Sequence, residues 1–251
     1  MTTRRGQTGP TPGGRGRFDG YDVLREVHRW DDETKGVVLA RVGPVPAVSF
    51  FDVREEAAAR ALLDRLLSQD AEPRIPVLEM VDARLANHVG DGWRHEDMPD
   101  DWDAWKLSLA ALDKESDLIH GKPFCELDAN YQKAIIESIQ DTQGDWHGLP
   151  AKHVFELWMR YALPAFYSHP WAWNEIGFGG PAYPRGYKNL GIDKREPWEV
   201  PERDAQDPVP WAERVESAHD AHRSGSAGPP GTLPEGDFDE GRGGRDQHED
   251  A

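Results

Sequence analysis

The residues best suited to chemistry in this chain are its ten histidines. None of them belongs to an HExxH metal-binding pair, since the HE at positions 95–96 is followed by proline where the second histidine would be needed. His147, His153 and His169 could meet acidic side chains in the folded chain. Single histidines near helices are, however, more often hydrogen-bonded structural residues. A metal-dependent hydrolase built on the histidines is therefore only a third-ranked hypothesis.

The glycine-rich segments do not match phosphate-binding or nucleophile motifs. GFGG at 177–180 lacks the third glycine of GxGxxG, and prolines follow where a helix would have to begin. The Gly-Lys pair at 121–122 precedes a proline, which excludes a P-loop, and SGSAG at 224–228 lacks the first glycine of a nucleophile elbow. We predict that the chain holds no catalytic residue and binds no cofactor or metal.

Aromatic side chains are concentrated near the C-terminal end. Residues 155–198 hold eleven of the 24 aromatic residues, where an even spread would place about four. Prolines and glycines interrupt any helical period after residue 167, so 168–200 is predicted to be an irregular strip. The candidate interface residues of this aromatic strip are Trp171, Trp173, Phe178, Tyr183, Arg185, Tyr187 and Trp198.

Three interpretations of the aromatic strip are open. The rings could belong to the chain's own core, cover a partner protein, or stack on sugars in a stand-alone carbohydrate-binding module. Clustered Trp, Tyr and Arg are typical of an interface centre, since these side chains combine a large apolar area with a polar group. Proline and glycine would also hold the strip in a fixed path and lower the ordering cost of docking. We therefore favour the partner interface.

Helical periodicity dominates the part of the chain before the strip. Apolar stripes at helical spacing predict helices at 54–68, 77–85, 102–112, 131–139 and 154–162. Asp52 and Asp128 are the predicted N-caps, and Pro164 is expected to disrupt the end of the last helix. A short helix is predicted at 21–30 and an extended ribbon at 36–51. The fold class is mainly α: an irregular helical bundle, an irregular aromatic-rich C-terminal strip and disordered termini.

Composition divides the chain into three parts. Residues 1–18 are a basic tail, and 201–251 are an acidic tail rich in proline and glycine. Neither tail has enough apolar side chains to offset the loss of backbone entropy, so both are predicted to be largely disordered. The helical domain is then 19–200 and includes the strip at 168–200.

Charge and hydropathy exclude several classes of protein. The net charge of −17 argues against nucleic-acid binding, which requires a basic face. No window approaches the ~20 apolar residues that cross a bilayer, so no membrane insertion is expected. Arg4-Arg5 lacks the apolar run that a twin-arginine export signal requires. We predict a cytoplasmic protein.

Several segments occur in the order typical of one known family. They are ALLDRLLSQD at 61–70, MVDARLA at 80–86, SLAALDKES at 108–116, HGKPFCELDANYQKAI at 120–135 and VFELWMRYALPAFYSHPWAWNEIGFGGPAYPRGY at 154–187. Together they make residues 55–190 resemble the gluconate 2-dehydrogenase subunit 3 family. The segment that ends in IGFGGP, at 176–181, corresponds to the C-terminal signature of that family.

The resemblance implies an accessory subunit without a cofactor of its own. Its expected partner is a larger, FAD-binding oxidoreductase of the glucose-methanol-choline (GMC) type that oxidises a sugar or glycoside, with which it would form a hetero-oligomer. The FAD is expected in that partner. The family offers no catalytic residues to carry over. Many members carry a twin-arginine signal, from which this chain departs at Arg4-Arg5.

Overall fold

Helices form most of the chain between residues 23 and 176. In the computed structural model, the described residues are 18, 21–70, 74–183, 186, 196 and 199–200. The α-helices among them are α1 (Asp32–Arg41), α2 (Val53–Leu66), α3 (Val77–Ala86), α4 (Asp101–His120), α5 (Ala129–Asp141), α6 (Ala151–Tyr167) and α7 (Pro170–Ile176). Short 3-10 helices occupy Val23–Arg29 and Phe124–Glu126, and β1 (Asp145–Trp146) pairs antiparallel with β2 (Leu149–Pro150). The predicted mainly α fold class is confirmed.

The predicted N-caps of α2 and α5 are confirmed. The Asp52 carboxylate accepts hydrogen bonds from the backbone N–H groups of Arg54 and Glu55, at 2.9 and 2.8 Å. The Glu55 carboxylate accepts in return from the Asp52 backbone N–H at 3.0 Å, which completes a capping box. Asp128 accepts from two backbone N–H groups at the start of α5. Local sequence thus sets where these helices begin.

The main core is built around α6, which packs against α2, α3, α4 and α5. Trp158 is fully buried at its centre, where its Nε1–H donates to the Ser108 hydroxyl at 3.0 Å. That hydroxyl donates to the Trp105 carbonyl at 2.9 Å. Because the polar atoms of Trp158 and Ser108 are paired, both side chains can be buried without a desolvation penalty.

A buried carboxylate attaches the segment before α2 to α3. Asp82 lies on α3 and is fully buried. Its oxygens accept hydrogen bonds from the backbone N–H groups of Ser49, Phe50 and Phe51, at 2.8, 2.9 and 3.0 Å. Hydrogen bonds to an ionised acceptor are among the stronger ones in proteins, so this carboxylate fixes the path of a segment that has no regular structure of its own.

Two helices differ from the sequence-based expectation. The extended ribbon predicted at 36–51 is wrong over 36–41, which belong to α1. Asp31 caps that helix by accepting from the Thr34 backbone N–H at 2.9 Å, and this local signal outweighs the β-branched residues. α6 also continues past Pro164 to Tyr167, although a proline inside a helix removes one backbone hydrogen bond and crowds the carbonyl of residue i−4.

The predicted tails lie outside the described residues, apart from Phe18. Residues 205–251 lie entirely outside the described part of the chain. Among the helices of the described residues, none combines the length and the apolar character that crossing a bilayer would require.

Candidate partner interface

The junction between α6 and α7 is organised by His169. Its Nδ1 accepts a hydrogen bond from the Trp171 backbone N–H at 3.2 Å, so the imidazole caps α7 and Pro170 occupies the first helical position. The Arg41 guanidinium donates to the Ser168 carbonyl at 2.7 Å and ties the end of α1 to the same junction. The aromatic strip, which the sequence predicts to be irregular, therefore begins with two turns of capped helix.

His169 is buried as a neutral imidazole. Its pKa is lowered to about 4, mainly by removal from water; a hydrogen bond to the Arg41 backbone opposes this shift, and the positive charge of Arg41 adds to it. A neutral ring is also what the capping role requires, because a protonated Nδ1 could not accept from the Trp171 backbone N–H. The imidazole thus has a structural role at the junction.

Trp173 lies in a second, smaller core that the N-terminal segment provides. Its side chain is only 5% exposed and packs with Val23, Trp30 and Val38. The indole Nε1–H donates to the Tyr167 carbonyl at 2.6 Å. One side of α7 is therefore covered by residues from the N-terminal part of the chain, between positions 23 and 38.

Polar contacts fix the same two segments against each other. The Asn174 side-chain oxygen accepts from the Val23 backbone N–H at 2.8 Å, where the 3-10 helix begins. The Tyr21 hydroxyl donates to the Phe178 carbonyl at 3.1 Å. These bonds hold the chain in place on both sides of the α7 C-terminus.

Two glycines after α7 are required by conformation and space. Gly177 ends the helix with φ of 69°, and Gly180 has φ of 76°, so both lie in the left-handed region that favours glycine. A Cβ at Gly180 would lie 2.5 Å from the Cζ2 atom of Trp30. The glycine therefore lets the backbone approach the indole closely.

The described candidates from the strip separate into buried and exposed rings. Trp173 is buried, and Trp171 is half-buried against the main core. Phe178 is 39% exposed and Tyr183 is 68% exposed. Arg185, Tyr187 and Trp198 lie outside the described residues. Among the described candidates, the exposed rings are thus those that follow α7.

Further exposed apolar side chains precede these rings, and the sequence reasoning missed them. Leu163 and Tyr167 are exposed on the last turns of α6, and Ile176 is exposed at the end of α7. The i, i+4 spacing of Leu163 and Tyr167 places them on one helical face, and this spacing is the signal that could have revealed the pair. We call these three residues, together with Phe178 and Tyr183, the exposed aromatic edge.

The three histidines considered as metal ligands have separate partners. His147 Nε2 lies 2.6 Å from Glu115 Oε2, and His153 Nδ1 lies 2.8 Å from Asp97 Oδ1. His169 is the buried cap of α7. The structure does not bring these three side chains together at one site.

Comparison with curated proteins gave no match, and comparison with solved structures gave none either. The family model of gluconate 2-dehydrogenase subunit 3 matches residues 53–180, just over half of the chain. The matched range begins at the first residue of α2 and ends at Gly180, so it includes most of the main core, α7 and part of the exposed aromatic edge. It confirms the resemblance seen in the sequence. The chain belongs to the gluconate 2-dehydrogenase subunit 3 family.

Proposed function

We propose that this chain is a non-catalytic small subunit that binds and stabilises an FAD-dependent GMC-type oxidoreductase acting on a sugar or glycoside. Membership of a family named for a dehydrogenase subunit supports an accessory role in a redox complex. The observation that carries the proposal is the exposed aromatic edge, which presents Phe178 and Tyr183 on a segment anchored to the fold.

Anchoring matters because binding is opposed by the entropy of ordering an interface. Trp173, Asn174 and Gly180 already attach this segment to the N-terminal part of the chain. The exposed rings therefore start from a nearly fixed backbone path, and docking would have to order few additional groups. Aromatic side chains presented in this way are typical of the residues that dominate binding energy.

In this proposal the chemistry takes place wholly in the larger subunit. A hydride would pass from a sugar carbinol to FAD there, and no residue of this chain would take part in the transfer. The aromatic strip would lie across the larger subunit and fix a loop or cap near its substrate entrance. The cytoplasmic localisation stays a prediction from the sequence.

The carbohydrate-binding alternative requires ring faces that a sugar can reach. Trp173 is buried and Trp171 is half-buried, which leaves Phe178 and Tyr183 as the exposed rings of the strip among the described residues. Since tryptophan has the largest stacking area and both tryptophans are at least partly covered, the geometry favours a protein partner over a sugar. Titration of the isolated chain with sugars, followed by tryptophan fluorescence, is expected to give no saturable response.

The interface is tested by co-expressing the full chain with the product of the neighbouring gene, which the proposal expects to be a GMC-type flavoprotein. We expect the two chains to co-purify and the flavoprotein to melt at a higher temperature in the complex. The double variant Phe178→Ala/Tyr183→Ala should weaken the complex roughly 10- to 100-fold, because each ring is a candidate hot spot. Binding is measured by titrating one purified subunit with the other. The flavin absorbance gives the concentration of the flavoprotein in each fraction.

A matched control removes exposed apolar side chains elsewhere. Leu118 on α4 and Tyr131 on α5 are also exposed, so Leu118→Ala/Tyr131→Ala should leave binding unchanged. The proposal fails if the wild-type chain is monomeric and indifferent to the flavoprotein. It also fails at the level of the interface if the control pair weakens the complex as much as the test pair.

A further inference from the structure

Two histidines and a glutamate meet between α6 and the loop before α4. His153 and Glu156 lie three residues apart on α6 and so share one face of the helix. His95 comes from the loop that joins α3 to α4. Each side chain places one possible ligand atom within 4.8 Å of those of the other two.

The two imidazoles lie face to face. Their rings stack with centroids 3.7 Å apart and an angle of 1° between the planes. Because an imidazole lone pair lies in the plane of its ring, one of the rings would have to turn about its Cβ–Cγ bond for both nitrogens to face one ion. His153 Nδ1 is occupied by Asp97 Oδ1 at 2.8 Å, which leaves Nε2 as its free nitrogen. A histidine whose other nitrogen is bound by a carboxylate is the usual arrangement around protein metal ions, because the carboxylate orients the ring and makes the ligand more basic.

His95 carries a polar atom that has no hydrogen bond in the structure. Its Nε2 lies 2.9 Å from Glu156 Oε2, but the geometry makes no hydrogen bond, and the nitrogen is shielded from solvent. A buried imidazole nitrogen without a partner is unfavourable by the free energy of a lost hydrogen bond. A cation placed between the nitrogen and the carboxylate would remove this penalty.

The loop that carries His95 is fixed by Arg160. The guanidinium donates to the Trp93 carbonyl at 3.1 Å and to the buried Asp101 carboxylate at 2.6 Å. It also lies 4.7 Å from the centroid of the Trp93 ring. Because the loop and α6 are joined independently of the histidines, the cluster is supported by its surroundings.

We propose that His95, His153 and Glu156 bind a divalent transition-metal ion, with zinc as the ion that fits best. Two imidazole nitrogens and one carboxylate oxygen form a ligand set that zinc favours, and three protein ligands leave a fourth position for water or another ligand. The ion would connect the loop before α4 to α6. This inference does not depend on the proposed partner, since all three ligands belong to this chain.

The site is tested on the untagged full chain after removal of metals with a chelator. Calorimetric titration with Zn²⁺ is expected to show one equivalent bound. His95→Gln, His153→Gln and Glu156→Gln should each weaken that binding at least about tenfold. Co²⁺ used in place of Zn²⁺ should give visible absorption bands that the same variants lose.

His147→Gln is the matched control, since His147 also lies beside a carboxylate, 2.6 Å from Glu115, but outside the cluster. It should bind zinc as the wild type does. Glu156→Gln changes the ligand without changing the shape of a partly exposed side chain, so it keeps the test decisive if a histidine variant fails to fold. The proposal is overturned if the wild type binds less than one equivalent. It is equally overturned if Glu156→Gln binds zinc as tightly as the wild type.

Discussion

His169 shows how one side chain can join three segments of the fold. It caps α7, lies beside the Arg41 guanidinium that bonds to Ser168, and is almost fully buried. Since both burial and the adjacent cation disfavour a proton on the ring, the folded state binds that proton much more weakly than the unfolded chain does.

This difference predicts an acid-sensitive stability. The pKa of His169 is lowered from 6.5 to about 4 by folding, so the unfolded chain gains a proton first as the pH falls. The contribution to stability is complete above the unfolded pKa and is lost as the pH falls towards the folded value. The free energy of unfolding should decrease by up to about 3 kcal/mol over that window. Urea denaturation at several pH values measures it.

The variant His169→Gln isolates this contribution. It should show a flatter pH dependence between about pH 6.5 and about pH 4, because the titrating group is gone. His28→Gln, which changes an exposed histidine, should keep the wild-type slope. Identical slopes for His169→Gln and the wild type would contradict the assignment.

At the scale of elements, α7 and the N-terminal segment depend on each other. Trp173 fills the space between Val23, Trp30 and Val38, and Gly180 lets the chain pass close to Trp30. Neither segment has enough apolar area to form a core alone, so they should order together.

Gly180→Ala tests this coupling. The new methyl group would overlap the Trp30 ring. The alanine would also have to adopt a positive φ, which only glycine adopts readily. We expect a loss of about 2–4 kcal/mol in the free energy of unfolding, from overpacking and backbone strain together. Hydrogen exchange should become faster across 23–41 as well, because these residues lose their packing surface.

Gly121→Ala is the control for backbone strain alone. Gly121 ends α4 with φ of 68°, and no neighbouring atom lies within 4 Å of a Cβ placed there. It should destabilise by about 1 kcal/mol and leave exchange across 23–41 unchanged. Equal effects of the two substitutions on that segment would argue against the close approach at Trp30.

At the scale of the whole molecule, the folded structure extends beyond the family match. The match begins at residue 53, whereas the residues that pack with Trp173 lie between 21 and 38. The backbone of 49–51 is also bound to Asp82 inside the matched range. The N-terminal segment is therefore part of the fold and not an appendage.

Deletion of residues 1–43 should thus destabilise the remaining chain strongly. The deletion removes Val23, Trp30 and Val38, each worth roughly 1.5–3 kcal/mol when buried. We expect the melting temperature to fall by about 10 °C or more, and Trp173 to become open to fluorescence quenchers. Deletion of 205–251, which belong to the predicted acidic tail, should change the melting temperature little, because that tail has few apolar side chains to bury. A minor effect of the first deletion would show that the second core is dispensable.

The sequence alone determined the elements whose signals are local. The stripes and the caps at Asp52 and Asp128 predicted α2 and α5, because capping and i, i+4 spacing act within a few residues. The family likeness could also be read from short segments in order, and the family match confirms it. The boundaries of the tails stay predictions.

Only the tertiary structure decided which aromatic rings are covered. Composition indicated a strip of rings, but burial of Trp173 depends on Val23 and Trp30, and a pattern of nearby residues does not contain that contact. The same reason applies to His95, whose meeting with Glu156 requires the loop before α4 to fold onto α6. Packing between distant segments thus separated the rings that hold the molecule together from those that stay exposed on the surface.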